Sequence, residues 1–229
     1  MTLEHAPTLI GLTGTNGAGK DTAAEMLAGK LTREGRSTVV MAFADALYEE
    51  AAQAFDLPIG QLKHRDTKET PLHVLKLSHC IDKQFVRAVD RGEWTFYQLH
   101  TPRSPRQILQ WWGTEYRRAQ QPDYWVQRLL AKVQQHREAG VQHIIVTDVR
   151  FADEAAAIRT QGGQIWRIHR PNYTPAGTGH VSEVTGEEFA PEVTIRNEGT
   201  MELLRIYLLQ ALHRADSKHK EAQWQSSKH

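Results

Sequence analysis

Short apolar runs alternate along the chain with longer segments in which apolar residues recur every three or four positions. Three runs are almost continuously apolar or β-branched and predict strands buried on both faces of a parallel sheet, at residues 8–13, 37–44 and 143–149. Two further strands are predicted over residues 164–170 and 192–197. Because strands and helices alternate, the pattern predicts an α/β fold in which a parallel sheet is flanked by crossover helices.

Helical periodicity connects these strands. It predicts helices over residues 20–33, 45–56, 104–119, 124–138 and 200–213. In the third of these, Ile108, Trp112 and Tyr116 recur every four residues and form one apolar stripe. The stripe predicts that this helix packs with its Trp112 side against a core.

Three segments depart from the alternation of strands and helices. Residues 58–122 have no clear strand and hold many basic and aromatic residues, which predicts a helical insertion. Residues 170–186 are rich in turn formers and are a candidate lid loop, and the polar residues 214–229 predict a disordered tail. We therefore predict one domain over residues 1–213 that includes the insertion and the lid.

Composition restricts the class of protein. The chain has 229 residues, of which 40% are hydrophobic and 24% charged, as in a soluble globular domain. Its formal net charge of +1 provides no general attraction to nucleic acid. A single cysteine, Cys80, indicates a reducing compartment. Neither a signal peptide nor a membrane-spanning apolar run is evident, so we expect a cytoplasmic protein without membrane association.

The turn between the first strand and the first helix reads GTNGAGKDT and has the spacing Gly-x4-Gly-Lys. In such a loop, backbone N–H groups surround phosphate oxygens at a helix N-terminus, and the lysine adds a cation. This predicts a nucleotide phosphate site at residues Gly14, Thr15, Asn16, Gly17, Ala18, Gly19 and Lys20. Asp21 stands where Ser or Thr is usual, and Thr22 offers a hydroxyl one place later. Asp21 is either an N-terminal helix residue or a contact to the metal or the acceptor.

Polar residues at the ends of the predicted strands complete a kinase-like set. Asp148 follows a buried strand, where a carboxylate holds Mg²⁺ or its water, although it could instead cap the next helix. Arg150 and Arg170 also lie at strand ends, where ligands bind in α/β sheets, and would neutralise a transferred phosphoryl group. The GTPase strings Asp-x-x-Gly and Asn-Lys-x-Asp are absent from the sequence. A small kinase is therefore favoured over a GTPase.

Several strings together resemble one family. IGLTGTNGAGKDTAAEML, FADAL, TPRSPRQILQWWGTEYRR, VTDVRFADEAAAI, HVSE and TIRNEGTMELL occur in this order through most of residues 9–212. The chain is thereby similar to the bacteriophage deoxynucleoside monophosphate kinases, a branch of the P-loop nucleoside monophosphate kinases. The resemblance implies a P-loop kinase fold, transfer of the γ-phosphate of ATP to a deoxynucleoside 5′-monophosphate, and a need for Mg²⁺. It also implies small-molecule nucleotides as partners and the cytoplasm of a phage-infected bacterium, and leaves a homodimer open.

The same resemblance implies roles for individual residues. Asn197 would lie near the adenine of ATP. The residues that the resemblance implies in binding the acceptor are Asp45, Arg65, Lys68, Arg103, Trp112 and Gly113. Thr22 and Asp148 as metal ligands, and Asp21 as a further acceptor candidate, are suggested by the residues themselves. Trp111 and Trp112 are adjacent and point to different sides of a helix, and the apolar stripe places Trp112 in the core. This leaves Trp111 freer for the ligand, in conflict with the family pattern. Residues 78–100 have no clear counterpart in the family, so the base that is accepted is not defined.

Alternatives remain open at this point. The basic and aromatic content of residues 58–119 also suits a kinase of a hydroxymethylated pyrimidine within phage DNA, which would flip the base out of the duplex. Another small-molecule P-loop kinase, such as one for dephospho-coenzyme A, would share the fold. A non-catalytic nucleotide-binding module is the third alternative, against which the intact Lys20, Thr22, Asp148 and Arg150 argue.

Overall fold

A five-stranded parallel sheet forms the framework of the protein. The computed structural model describes residues 8–64, 66–90, 95–171, 173 and 189–226. The strands are β1 (Thr8–Thr13), β2 (Thr38–Met41), β3 (His143–Val146), β4 (Gln164–His169) and β5 (Val193–Arg196). All five strands were predicted, and the α/β fold class is confirmed. The second strand is shorter than predicted because a helix already begins at Phe43.

The strands lie in the order β2-β3-β1-β4-β5, and every neighbouring pair is parallel. The strand that precedes the glycine-rich loop is therefore central. The chain leaves β1 toward β2 and β3 on one side, and then crosses to β4 and β5 on the other. Ligands of open α/β sheets bind at the carboxyl ends of the strands where the order reverses in this way. The loop after β1 occupies this position.

Contacts within the chain divide it into two units. The first unit comprises the residues up to Ala42 and those from Leu130 onward, and holds the sheet. Its helices are α1 (Lys20–Arg33), α8 (Ala152–Thr160), α9 (Met201–Ser226) and the last part of α7 (Tyr124–Glu138). Ile10 and Leu12 of β1 pack in one buried cluster with Leu27 of α1 and Leu208 of α9. Burial of this cluster fixes α1, and hence the end of the loop, against the sheet.

The second unit, Phe43–Leu129, is helical. It holds α2 (Phe43–Ala54), α3 (Ile59–Lys63), α4 (Lys83–Asp90), α5 (Phe96–His100), α6 (Pro105–Gln110), a π-helix over Trp111–Arg118, and the start of α7. The predicted insertion at 58–122 lies wholly inside this unit. Its described residues form no strand, only an isolated bridge between Leu72 and Arg103.

The predicted helix over 104–119 consists of two successive parts. Ser104 accepts a hydrogen bond from the backbone N–H of Gln107 (3.2 Å) and Pro105 follows it, so the sequence carries a normal helix start. From Trp111 onward the chain is a π-helix, a wider turn that is rare and often found at functional sites. Ile108, Trp112 and Tyr116 are each at most 1% exposed, which confirms the predicted stripe.

The end of the chain differs from the prediction. Helix α9 continues to Ser226, well beyond the expected end at residue 213 and into the segment predicted to be disordered. The residues from 214 to 226 contain neither Gly nor Pro, so no local signal ends the helix. Of the candidate lid at 170–186, only residues 170, 171 and 173 are among the described residues. None of the helices that the structure describes has the length and apolarity needed to cross a bilayer.

Candidate active site

The loop between β1 and α1 is shaped by glycines in the left-handed region. Gly14, Gly17 and Gly19 have φ angles of 137°, 77° and 100°. A side chain at residue 14 would overlap the carbonyl oxygen of Ile168, and a Cβ at residue 19 would lie 2.6 Å from Asn197 Nδ2. Glycine is therefore required at both positions by conformation and by space. This backbone is what the spacing Gly-x4-Gly-Lys predicts for a phosphate-binding loop.

Lys20 is the first residue of α1, and its ammonium group folds back over the loop. Nζ donates hydrogen bonds to the carbonyl oxygens of Gly14 (2.8 Å) and Thr15 (3.0 Å). Burial lowers the pKa of Lys20, and the nearby cation of Arg150 lowers it further, whereas the carboxylates of Asp21 and Asp148 oppose this. Two cations and two carboxylates therefore act on one another at the loop. An anionic phosphate here would relieve the repulsion between the cations.

The two residues predicted to hold a metal, Thr22 and Asp148, lie in α1 and just after β3. Thr22 is half-buried in the first turn of α1, and Asp148 is half-buried just after β3. The chain beside Asp148 is fixed by its neighbours, because Thr147 N donates to Met41 O (3.0 Å) and Val149 N to Leu12 O (3.1 Å). The described residues contain no cluster of three or more metal-ligating side chains. Mg²⁺ needs only one or two carboxylates beside waters and substrate phosphates, so the chemistry of Thr22 and Asp148 fits it.

A buried carboxylate that the sequence interpretation missed fixes the turn that holds Arg150. Glu154 is 4% exposed, and its Oε2 accepts the backbone N–H groups of Arg150 (2.8 Å) and Phe151 (3.2 Å). Helix α8 begins at Ala152 with Phe151 at the N-cap, so Asp148 is not the cap. A glutamate at the third helical position is a known sequence signal of a helix start and could have indicated this role.

Arg170 and Tyr173 lie beside the loop from the end of β4. Arg170 Nη1 donates a long hydrogen bond to Gly17 O (3.4 Å), and the guanidinium lies 4.8 Å from the centroid of the Tyr173 ring. A side chain at residue 17 would overlap the Tyr173 hydroxyl. Arg170 was predicted at this site and Tyr173 was not. An isolated tyrosine in a polar turn gives no sequence signal of such a contact.

Asn197 follows β5 and contacts the loop directly. Its backbone N–H donates to His169 O (2.7 Å), and its side-chain Nδ2 donates to Ala18 O (2.9 Å). The resemblance implied a place near adenine for this residue. In the structure its side-chain amide holds the backbone of the glycine-rich loop.

In the second unit, Asp45 and Lys68 are linked through two residues that were not predicted. Asp45 Oδ1 pairs with Lys63 Nζ at 2.9 Å, and Lys68 Nζ donates to the Tyr48 hydroxyl at 3.1 Å. Both ammonium groups lie over the Tyr48 ring, at 5.1 Å for Lys63 and 5.8 Å for Lys68. Two cations beside one phenol form a small positive group of the kind that binds phosphate. Arg65, the other predicted phosphate contact, lies outside the described residues.

The two adjacent tryptophans have different environments. Trp112 is 1% exposed, donates from Nε1 to Glu50 Oε2 (3.0 Å) and packs 4.5 Å from the Phe85 ring. This burial places Trp112 in the core, as the apolar stripe predicts, and the acceptor contact that the resemblance implies for Trp112 remains a prediction. Gly113 is buried too, and its carbonyl oxygen accepts a hydrogen bond from Trp125 Nε1 at 3.2 Å, so it takes part in helix packing. Both residues were assigned from the family pattern, which the apolar stripe already opposed for Trp112.

Trp111 and Arg103 form the more accessible pair. The Arg103 guanidinium lies 5.4 Å from the Trp111 ring centroid, and its Nη2 donates to Gln98 O (3.0 Å). Trp111 is half-buried, so its indole retains accessible surface. A cation held on an indole face is a suitable neighbour for a base or a phosphate.

Comparison with known proteins places the chain in a family. A model of the deoxynucleotide monophosphate kinase family matches residues 50–207, more than half of the chain. The protein is a member of this family. The match confirms the predicted family and shows that the protein is a nucleotide kinase. It begins after the glycine-rich loop, so the prediction that this loop binds phosphate rests on its own sequence and geometry.

Other comparisons add little to this assignment. Among solved structures, the kinase is similar to a mutant of the APS kinase CysC from Mycobacterium tuberculosis, with a TM-score of 0.44 and 12% identity over 91% of this chain and 98% of that one. No curated protein matches the sequence. The fold assignment rests on the sheet order and the family match.

One carboxylate organises the second unit of the kinase. The Glu50 side chain is 12% exposed and accepts Arg117 Nε at 2.8 Å in addition to Trp112, while the Tyr124 hydroxyl donates to its other oxygen. Arg128 Nε lies 3.7 Å away. These contacts join α2, the π-helix and the start of α7. A buried charge with this many donors is a structural centre of the unit.

Proposed function

We propose that the kinase transfers the γ-phosphate of ATP to a deoxynucleoside 5′-monophosphate and releases the diphosphate. The observation that carries this proposal is the loop after the central strand. Three of its glycines have positive φ, Lys20 Nζ donates to two of its carbonyl oxygens, and the charges of Arg150, Asp21 and Asp148 act on Lys20. Membership of the deoxynucleotide monophosphate kinase family supports the choice of acceptor.

The charges at the loop support phosphoryl transfer rather than binding alone. Lys20 donates to two backbone carbonyl oxygens, and an incoming phosphate would replace these acceptors with charged ones. Arg150 and Arg170 add cations, and Arg170 already contacts Gly17 O. The distribution of negative charge around the transferred group differs between the ground state and the transition state. Cations held where charge develops in the transition state therefore stabilise it more than the ground state.

Thr22 and Asp148 would hold Mg²⁺, since both offer the oxygen ligands that this ion prefers. The ion supplies charge neutralisation and orientation of the phosphates when bound. Asp21 lies in the exposed first turn of α1. There its carboxylate favours the helix N-terminus and holds up the pKa of Lys20, which keeps the lysine charged for the phosphate.

We assign the acceptor to residues of the second unit. Lys68, together with Lys63 beside Tyr48, provides cations for the monophosphate, and Asp45 orients Lys63 through their ion pair.

Trp111, held by Arg103, provides an aromatic face for the base. Trp112 and Gly113 act indirectly, by packing the helix that carries Trp111.

The proposal is tested by a product assay with γ-labelled ATP and Mg²⁺. Each deoxynucleoside monophosphate is supplied singly, in parallel with DNA that contains normal or hydroxymethylated pyrimidines. We expect label in one or more deoxynucleoside diphosphates. Hydrolysis of ATP without a labelled nucleotide product would contradict the proposal.

Transfer to a base within DNA is a second candidate, which one observation favours. The rings of Phe96 and Tyr97 in α5 are 77% and 79% exposed, and aromatic faces of this kind stack on unpaired bases. The net charge of +1 opposes binding to a polyanion. Label found only in the DNA arm of the same assay, with strong inhibition by salt, would establish this candidate in place of the first.

A further inference from the structure

Asn197 connects three parts of the first unit. Its backbone N–H is held by His169 O, the last residue of β4, at 2.7 Å. Its side chain reaches back to the phosphate loop, where Nδ2 donates to Ala18 O at 2.9 Å. These two residues are 179 positions apart in the chain, so the contact is a product of the fold and not of local sequence.

The contact determines the orientation of one peptide group. No peptide bond is cis among the described residues, so the carbonyl of Ala18 and the N–H of Gly19 point in opposite directions across their shared bond. When Asn197 holds the carbonyl oxygen on its own side, the Gly19 N–H is directed to the other side. Gly19 is half-buried and immediately precedes Lys20 at the start of α1.

The space around Gly19 shows how closely the amide fits. A Cβ at residue 19 would lie 2.6 Å from Asn197 Nδ2, too close for any real side chain. The φ angle of 100° at Gly19 is one that other residues rarely adopt. Without a group that holds Ala18 O, the flexible Gly19 backbone could rotate this peptide group at little cost.

We infer that Asn197 is a positioning residue that orients the Gly19 N–H toward the nucleotide phosphates, rather than a contact to adenine. The inference rests on the proposed function, in which this loop binds the phosphates of ATP. Preorganised backbone donors bind charge without reorganisation when the ligand arrives. Asn197 therefore contributes to binding of the phosphate chain although its own side chain contacts Ala18 O and not the ligand.

Inorganic tripolyphosphate distinguishes the two roles, because it has the phosphate chain of ATP and no adenosine. Binding of each ligand with Mg²⁺ is measured by calorimetry for the wild type, Asn197→Ala and Asn197→Asp. We expect Asn197→Ala to weaken both ligands by the same factor, about five- to tenfold for the loss of one hydrogen bond at this site. Asn197→Asp keeps the shape but loses the donor and adds a negative charge, so it weakens both ligands further.

Thr194→Ala is the matched control, because Thr194 is exposed on the same strand β5 and should leave both affinities unchanged. Thermal unfolding verifies that each variant is folded. An independent readout is the NMR signal of the Gly19 amide on addition of tripolyphosphate. We expect a large shift in the wild type and a much smaller one in Asn197→Ala.

Two results would overturn the inference: weaker binding of ATP with unchanged binding of tripolyphosphate, which indicates an adenosine contact, or no change for either ligand. A wild-type protein that binds neither ligand would overturn the proposed function and the inference with it. If the wild type binds both ligands and the variants weaken both equally, but no phosphoryl transfer is found, the inference holds and the proposed function fails.

Discussion

The two units of the kinase build their candidate sites from different parts of the chain. In the first unit the site is mostly backbone: three glycines with positive φ, the N-terminus of α1, and a lysine folded over two carbonyl oxygens. In the second unit the candidate acceptor residues are side chains that depend on other side chains, such as Lys63 on Asp45. Phosphate is common to many substrates, whereas a base must be distinguished by side chains.

The comparison also shows how each unit would tolerate change. We expect the site in the first unit to be impaired by substitution of its glycines or its lysine, and to tolerate most other substitutions. The second unit instead depends on one buried carboxylate, Glu50, whose loss affects residues from three helical elements at once.

The adjacent tryptophans give the largest contrast. Trp112→Ala removes a side chain that is 1% exposed, and we expect it to lower the free energy of unfolding by about 3–5 kcal/mol. Trp111→Ala removes a half-buried ring. It should leave stability nearly unchanged but raise the KM for the acceptor about tenfold, since base stacking on an aromatic ring contributes roughly 1–3 kcal/mol. Urea unfolding and steady-state kinetics measure the two effects.

If Trp111→Ala leaves the acceptor KM unchanged, the base does not stack on this residue. If instead Trp112→Ala is as stable as the wild type but impaired in acceptor binding, Trp112 contacts the acceptor as the family pattern implies, although its side chain is buried.

The Glu50 centre tests whether the second unit depends on one charge. Glu50→Ala leaves Arg117 without its carboxylate in a mostly buried place, and we expect a loss of about 3–5 kcal/mol in unfolding free energy. Gln53→Ala, at an exposed position of the same helix α2, is the control and should have little effect. Equal stability of the two variants would contradict the role assigned to Glu50.

Lys20→Ala tests the backbone site. We expect turnover to fall by on the order of 10²-fold or more, as when other electrostatic stabilisers of a transition state are deleted. Lys30→Ala is the matched control on the same helix, because Lys30 pairs only at the surface with Glu34 (2.8 Å). The kinetics are compared at saturating ATP, and full turnover of Lys20→Ala would show that the loop is not the phosphate site.

Tyr116 gives the smallest effect, and it depends on pH. Burial raises the pKa of Tyr116 from 10.0 to about 12, and the hydrogen bond to Asp82 adds to this. The folded state therefore favours the neutral phenol, so this stabilisation is complete below pH 10 and is lost as the pH rises from 10 to about 12.

Tyr116→Phe should remove this step in a titration of phenolate absorbance and cost about 1 kcal/mol at neutral pH, through the lost hydrogen bond. Tyr97→Phe, at an exposed position, serves as the control. A titration unchanged by Tyr116→Phe would contradict the assignment.

Local signals in the sequence predicted the features that depend on local structure. The five strands, α1 and α7 follow from apolar runs and helical periodicity, and the loop follows from glycine and lysine spacing. The stripe Ile108, Trp112 and Tyr116 predicted burial correctly even though the helix that carries it is partly a π-helix.

Contacts between distant residues were beyond such signals. Glu50 and Trp112 are 62 residues apart, and Ala18 and Asn197 are 179 apart, so neither pair has a local pattern. The predicted end of the last helix, at residue 213, was wrong. The polarity of residues 214–226 was interpreted as disorder, although this segment contains no helix breakers. Lys63 was missed because the sequence gives no signal that distinguishes it from the other lysines and arginines of this basic segment.

Transfer of phosphate to a free deoxynucleoside monophosphate can be followed by ³¹P NMR in one reaction mixture. The wild-type kinase is incubated with ATP, Mg²⁺ and one deoxynucleoside monophosphate at a time. We expect that, with at least one of them, the γ-phosphate signal of ATP declines while the signals of a deoxynucleoside diphosphate grow by the same amount, without inorganic phosphate. Growth of inorganic phosphate alone, or no change with any of the four monophosphates, would contradict it.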